Sequence, residues 1–230
     1  MRKTLNCIFA LLNFIMKYIL PFFLGVMLLL TFGCKEKKKY HDVKEKNQVA
    51  ATDALQEILD YHEAKNAEFK NPETSPLADK DRIDFESLVF FEPDTSYVLT
   101  ADLVRTPNAK PFQMPTTTGE KSTEVVYGIL HFKLHGKKLE LEVYQNKELM
   151  LEDGYEDYLF LPFTDETNGV DTYGGGRYID LRIPKSNVIT IDFNRAYNPY
   201  CAYNKKYSCP IVPKVNHLNT RILAGVKAFD

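Results

Sequence analysis

A helical periodicity marks one segment in the first third of the chain. Between Asp53 and Phe69, the residues Leu55, Ile58, Leu59 and His62 recur at positions i, i+3, i+4 and i+7, which is the spacing of one face of an α-helix. An Asn-Pro pair follows shortly afterwards, and the residue before a proline disfavours helical backbone angles. The pattern therefore predicts one helix over Asp53–Phe69.

From Leu88 onward the apolar residues alternate with polar ones, which is the period of a β-strand. The clearest case is the pair of segments Glu124–Leu134 and Lys138–Gln145, which are separated by His135-Gly136. Two alternating segments around such a short turn predict a β-hairpin. Further strands are predicted at Tyr97–Val104, Tyr158–Phe163, Arg177–Ile183, Val188–Phe193 and Arg221–Phe229, and a short helical turn at Asp79–Phe85.

The order of these elements determines the expected fold class. No second long helical pattern follows the first, so the crossover connections that parallel strands need are not expected. We predict a mainly β fold, an antiparallel sandwich or partly closed barrel, preceded by one N-terminal helix.

The first 34 residues have the composition of an export signal. From Cys7 to Cys34 the chain is almost wholly apolar, and Met16-Lys17 offers a second start before an apolar stretch. Thr31-Phe32-Gly33-Cys34 resembles the lipobox of bacterial lipoproteins, in which a small residue precedes the cysteine that is lipidated. We predict a signal peptide over 1–33, lipidation at Cys34, a flexible tether over 34–50 and a single β-rich domain over 51–230.

A transmembrane anchor is the alternative interpretation of the same segment. The apolar stretch is long enough to span a bilayer, and the lysines after Cys34 favour a cytoplasmic flank. Both interpretations attach the chain to a membrane. The lipobox favours a lipoprotein of the bacterial cell envelope that faces the periplasm.

Composition excludes several classes of protein. The 230 residues include 29 Lys and Arg against 31 Asp and Glu, a net charge of −2. This balance gives no basic excess for nucleic acid. The cysteines are too scattered for a zinc ribbon, and we predict neither a metal site nor a cofactor.

Four blocks in the C-terminal third combine rare residue types at close spacing. The blocks are Phe163–Gly169, Thr172–Tyr178, Asp192–Tyr203 and Cys209–Pro213 with Asn216. They resemble the bacterial family catalogued as domain of unknown function 1684, and the resemblance extends over about Phe90–Phe229. The family carries no established activity, so the resemblance implies a fold and a site but no reaction.

These blocks predict a binding site for a small anionic ligand. Successive backbone N–H groups of a glycine turn can point at one anion, and Arg177 and Arg195 can add bidentate donors. The structural alternative is a glycine corner beside a buried arginine that pairs with Asp165, Asp180 or Asp192. The candidate ligand-binding residues are Asp165, Thr172, Tyr173, Gly174, Gly175, Gly176, Arg177, Asn194, Arg195, Tyr197 and Asn198.

Tyrosines and cysteines add two further features. Eight of the fourteen tyrosines lie between Tyr155 and Tyr207, which suits an aromatic pocket or a partner-binding face as well as ordinary strand packing. Cys201 and Cys209 are predicted to form a disulfide in an oxidising compartment. A metal pair or a reactive thiol beside His217 are the alternatives.

Two functions follow from these features. The first is a non-enzymatic envelope lipoprotein that binds a small anionic or sugar-like ligand, or a protein partner, through the loops of residues 165–216. The alternative is an envelope hydrolase in which Arg177 and Arg195 stabilise charge and Asp165 or Asp192 acts as acid or base. None of the common hydrolase or nucleotide-binding motifs that we sought occurs in the sequence.

Overall fold

The fold is described from a computed structural model, which covers the backbone of residues 39–229 and the side chains of residues 52–229. The predicted signal peptide and the lipidation at Cys34 lie outside the described residues. The chain divides into two compact units, residues 1–50 and 51–230. Within the described part of the chain, no helix has both the length and the apolar character of a membrane span.

The long helix α1 covers Lys39–Lys70 and contains the predicted helix over Asp53–Phe69. It begins earlier than predicted, so the part of the predicted tether from residue 39 onward has helical backbone. The predicted face is only partly buried. Ile58 and His62 are buried, whereas Leu55 and Leu59 are 38% and 44% exposed. A second short helix, α2, covers Asp79–Ile83.

The rest of the described chain forms a curled, mainly antiparallel sheet with the shape of a half-barrel. Its main path has the strand order β6-β5-β4-β3-β1-β7, while β2 pairs with β3 and β8 pairs with β5 in parallel. The predicted mainly β fold, with one helix before the sheet, is therefore confirmed. The strands are β1 (Val98–Arg105), β2 (Phe112–Pro115), β3 (Lys121–Leu134), β4 (Lys137–Asn146), β5 (Tyr158–Asp165), β6 (Arg177–Arg182), β7 (Val188–Asp192) and β8 (His217–Leu218).

The predicted hairpin is formed by β3 and β4, which pair along almost their whole length. His135 and Gly136 make the turn with φ angles of 48° and 81°, the positive angles that a tight hairpin turn requires. One face of the sheet packs into the main core, where buried apolar side chains from β1, β3, β4, β5, β6 and β7 meet.

The prediction of a strand at Arg221–Phe229 is wrong. In this segment, only Val226 forms a bridge, with Phe90, and no regular strand is present. The physical reason is that the carbonyl groups of this segment bind an arginine. The carbonyls of Ile222 and Ala224 accept hydrogen bonds from Arg177 rather than from a neighbouring strand.

Candidate functional site

Arg177, at the start of β6, is fully buried, and its guanidinium binds groups in the interior of the protein. Its Nη2 lies 2.9 Å from Asp165 Oδ2, and the carboxylate is buried too. Its guanidinium also donates to the carbonyls of Ile222, Ala224 and Val226, at 2.9, 2.5 and 3.4 Å. Burial lowers the pKa of Arg177, and the negative charge of Asp165 opposes this effect. Arg177 therefore fixes the C-terminal segment against the sheet.

Asp165 organises the loop that follows β5. Besides its pair with Arg177, its Oδ1 accepts hydrogen bonds from the backbone N–H groups of Thr167 (2.8 Å) and Ile222 (3.2 Å). Thr167 and Thr172 are buried and share a hydrogen bond of 2.9 Å. Both carboxylate oxygens of Asp165 are thus occupied by the protein itself.

Within the glycine triplet, Gly176 has a clear steric role. It adopts a φ of +96°, and a Cβ atom there would lie 2.6 Å from Val212 Cγ2 and 2.7 Å from the carbonyl oxygen of Phe163. Gly174 and Gly175 are exposed and have no positive φ angle. Only Gly176 therefore needs a conformation that other residues avoid, and this conformation leads the chain into the buried Arg177.

The asparagines of the third block also bind backbone groups. Asn194 is buried, receives the N–H of Asp94 on its Oδ1 and donates to the carbonyl of Asp94 and to Asp192. Asn198 donates to the carbonyl of Lys227 at 2.9 Å. These side chains lock loops against each other.

Arg195 is exposed, and its guanidinium lies 5.1 Å from the centre of the Tyr61 ring. Asp192, the other acid of the hydrolase alternative, accepts from the backbone and side chain of Asn194. In the structure, Arg177 and Asp165 therefore pair with each other, whereas Arg195 and Asp192 contact other residues.

A cavity of about 220 Å³ opens between α1, β6 and the loops after β7. Three of its features matter for chemistry: a lysine, a carboxylate and several tyrosine rings. Among the predicted ligand-binding residues, Tyr197 lines it, and the predicted disulfide residue Cys209 lines it as well. The cavity is lined by Lys65, Tyr178, Asp180, Tyr197, Pro199, Tyr200, Tyr207, Ser208 and Cys209. We call this cavity the tyrosine pocket.

Asp180 is the negative centre of the tyrosine pocket. The hydroxyls of Tyr158 and Tyr197 both donate to its Oδ1, at 2.7 and 2.6 Å. Burial, together with the charge of Asp180, raises the pKa of both tyrosines. They therefore stay neutral donors at physiological pH. Among the described residues, none donates a hydrogen bond to the second carboxylate oxygen, and the side chain is exposed.

Lys65 of α1 places a cation at the opposite wall. Its ammonium lies 2.8 Å from Glu68 Oε2 and 5.3 Å from the centre of the Tyr197 ring. The hydroxyl of Tyr200 donates to the other oxygen of Glu68 at 2.7 Å. The pocket wall is therefore held by a chain of charged and phenolic groups that extends from the helix to the loops.

A small cavity of about 10 Å³, lined by Lys65, Tyr197, Tyr200 and further side chains, adjoins the tyrosine pocket. This volume suits a single water molecule. Asn198 also lines it, and the Oδ1 of this residue is buried without a hydrogen-bond partner among the described residues.

Cys201 and Cys209 lie side by side as free thiols. The N–H of Cys201 donates to Cys209 Sγ at 3.2 Å. The disulfide predicted between them is thus absent from this structure. Burial, together with the nearby Cys201, raises the pKa of Tyr173, which places this residue of the glycine block near the cysteines.

Sequence reasoning did not single out Lys65 or Asp180 as ligand-binding residues. Lys65 lies on a helix far along the chain from the other lining residues, so no local motif connects them. The excess of tyrosines between Tyr155 and Tyr207 is the signal that does lead to the pocket. Five of its members, including Tyr158 as a partner of Asp180, contribute there.

Comparison with known proteins assigns the chain to a family. The family described as "Protein of unknown function (DUF1684)" matches residues 83–227, which is more than half of the chain. The chain belongs to this family. The resemblance read from the four sequence blocks is thereby confirmed, and the family match includes most of the lining of the tyrosine pocket, with Lys65 outside it.

A solved structure is similar to this chain in sequence and fold. The solution NMR structure of an uncharacterized protein from Haloarcula marismortui is 29% identical and aligns with a TM-score of 0.57. The alignment covers 81% of this chain and 96% of that one. The comparison with curated proteins gave no match.

Proposed function

We propose that this protein is a membrane-anchored envelope lipoprotein whose β-domain binds a small sugar-like ligand in the tyrosine pocket. The observation that supports this proposal is the convergence of Asp180, Lys65 and tyrosine rings around one open cavity of about 220 Å³. Sugars present apolar ring faces and many hydroxyl groups. Tyrosine rings match the faces, while a carboxylate and an ammonium match the hydroxyls.

The charges favour a neutral ligand over an anionic one. Lys65 is already paired with Glu68, and the carboxylate of Asp180 lies in the same pocket. An anion would therefore meet one neutralised cation and an unpaired carboxylate. Arg177 points into the interior, and Arg195 does not line the pocket. Within the predicted choice of an anionic or a sugar-like ligand, these contacts support the second.

Support for the membrane anchor comes from the sequence. Thr31-Phe32-Gly33-Cys34 follows an apolar stretch and precedes a run of lysines and acidic residues, as in a lipoprotein signal. Lipidation at Cys34 would hold the domain at the membrane surface and leave the tyrosine pocket to ligands of the envelope.

The test is a binding measurement on the full chain in detergent micelles. Saturation-transfer NMR with glucose, N-acetylglucosamine and glucose 6-phosphate compares two neutral sugars with an anionic one. We expect transfer to at least one neutral sugar and weaker or no transfer to the phosphate ester, because Asp180 repels it.

Variants locate the site. Asp180→Asn should weaken binding of the neutral sugar at least about tenfold, the equivalent of one charge-assisted hydrogen bond. Asp157→Asn is the matched control, since Asp157 is an exposed aspartate that pairs with Arg182 outside the pocket. Equal binding by wild type and Asp180→Asn would overturn the proposal. Failure of both neutral sugars to bind the folded protein, or preference for glucose 6-phosphate, would also overturn it.

A further inference from the structure

The tyrosine pocket has a pair of thiols in its wall. Cys209 is buried and lines the pocket, while Cys201 is partly exposed. The backbone N–H of Cys201 is directed to the sulfur of Cys209 at 3.2 Å. The two cysteines are thus already in contact before any bond joins them.

The segment between these cysteines forms part of the pocket wall. Tyr200 precedes the first cysteine, Tyr207 and Ser208 precede the second, and all three line the pocket. The rings of Tyr200 and Tyr207 lie 5.2 Å apart between centroids. The wall is therefore a loop whose two ends are the two cysteines.

The two ends of this loop are attached to the protein through different contacts. Cys209 is held by its N–H on Thr117 Oγ1 at 3.1 Å and by its carbonyl, which accepts the N–H of Thr117 at 2.9 Å. Cys201 lies in the 3₁₀ turn Tyr200–Ala202, and the hydroxyl of Tyr200 donates to Glu68 at 2.7 Å. A covalent bond between the thiols would join these two separately anchored ends directly.

We propose that Cys201 and Cys209 are a thiol–disulfide exchange site whose oxidation fixes the wall of the tyrosine pocket and strengthens ligand binding. The part of this proposal that concerns affinity rests on the proposed function. Restricting a binding loop in its bound conformation raises affinity because less conformational entropy is lost on binding.

The reaction partner is a disulfide oxidant, either a protein or a small molecule such as oxidised glutathione. The thiolate of Cys201 attacks one sulfur of the oxidant, a mixed disulfide forms and one thiolate leaves. The thiolate of Cys209 then attacks the sulfur of Cys201 and expels the second thiolate. The two cysteines lose two protons and two electrons, and the oxidant takes up the electrons and becomes two thiols.

The surroundings assign the order of attack. Cys201 is the more exposed thiol and can meet an oxidant, whereas Cys209 is buried. Burial raises the pKa of Cys209 to about 12, so its thiol is protonated at rest. The N–H of Cys201 points at this sulfur and would stabilise the thiolate during the second step.

The first experiment detects the bond in the full chain. The protein is incubated with oxidised or with reduced glutathione, alkylated, and digested with trypsin without reduction. Trypsin cleaves after Lys205 and Lys206, between the cysteines, so a disulfide joins two peptides that otherwise separate. We expect the linked pair after oxidation only. Alkylation of both cysteines under oxidising conditions would overturn the proposal.

The second experiment measures the wall and the pocket separately. Amide hydrogen exchange of residues 200–208 should slow in the oxidised form, and a Cys201→Ser/Cys209→Ser variant should exchange alike in both buffers. N-acetylglucosamine should bind the oxidised wild type more tightly than the reduced form. Equal exchange in both forms would overturn the proposal. Slowed exchange without binding of any neutral sugar would refute the proposed function and retain the redox site. Equal sugar affinity of the oxidised and reduced forms would refute the proposal that oxidation strengthens ligand binding.

Discussion

Arg177 illustrates how one side chain can replace a strand. Its guanidinium donates to the carbonyls of residues 222, 224 and 226. The segment predicted as a strand over Arg221–Phe229 is not continuously extended, because Gly225 has a φ of +80°. An arginine supplies the hydrogen bonds that a neighbouring strand would otherwise donate.

Replacing this arginine should destabilise the whole domain. Arg177→Met leaves the carboxylate of Asp165 buried without its cation and three carbonyls without their donor. Removing one partner of a buried ion pair costs about 3–5 kcal/mol. Urea unfolding followed by circular dichroism measures the loss. Arg182→Met is the matched control, because Arg182 forms an exposed pair with Asp157, and exposed ion pairs contribute far less to stability than buried ones.

Gly176 gives a second prediction at the scale of single residues. Gly176→Ala places a Cβ atom against a backbone carbonyl at a positive φ, so we expect a loss of about 2 kcal/mol or more. Gly136→Ala is the control, since Gly136 also has a positive φ but open space around it. Thermal melts that place the two variants at equal stability would contradict the steric explanation.

At the scale of elements, helix α1 is attached to the loops of the sheet through polar contacts as well as apolar ones. His62 stacks on Phe90 at 3.7 Å between ring centroids and lies 3.0 Å from the carbonyl of Asn194. Tyr61 donates to the carbonyl of Arg195. The same helix carries Lys65 into the tyrosine pocket, so its docking and the proposed binding site depend on each other.

The docking of α1 should weaken in acid. Burial lowers the pKa of His62, so the folded protein holds this imidazole neutral while the unfolded chain takes up a proton below about pH 6.5. The contribution of His62 to the free energy of unfolding is therefore complete above that pH, and it decreases as the pH falls towards the pKa of His62 in the folded protein. The slope from one proton cannot exceed about 1.4 kcal/mol per pH unit.

Urea unfolding midpoints measured from about pH 7.5 down to about pH 5 test this prediction, because this range brackets the ordinary histidine pKa of about 6.5. His62→Gln should remove part of the pH dependence, whereas His131→Gln should retain it, because His131 is exposed on β3. An identical slope for wild type and His62→Gln would show that α1 docking does not depend on this histidine.

At the scale of the whole molecule, the fold follows from patterns that are local in sequence. The hairpin of β3 and β4, the other paired strands and the single long helix were all predicted from period and turn residues. The short strands β2 and β8 were not, because four and two residues are too few for an alternation to be recognised. Their pairing depends on neighbours far along the chain.

The membrane anchor is a prediction for the intact protein in a bacterial cell. Labelled fatty acid should be incorporated into the wild type and lost in Cys34→Ser, because the lipidated thioether forms at that cysteine. Cys7→Ser is the control and should retain the label. Incorporation that survives in Cys34→Ser would place the lipid on another residue, whereas no incorporation into the wild type would favour the transmembrane alternative.

The sequence predicted less of the candidate site than of the fold. The four blocks identified the family, and the region of residues 165–216 does contain most of the pocket lining. Their charged residues could face a ligand or pair with each other in the interior, and the structure directs Arg177 and Asp165 inward as a pair. A sequence shows that an arginine and an aspartate are close, but burial decides whether they bind each other or a ligand.

By itself, the sequence determined most of the secondary structure, the fold class and the family, because these depend on periodicity, turn chemistry and local motifs. Only the tertiary structure decided which polar residues are internal and which face the cavity. Lys65, Asp180 and Cys209 come from a helix, a strand and a loop that are distant in the chain. They meet because the curled sheet, the helix and the loops pack around cores that no single segment could form alone.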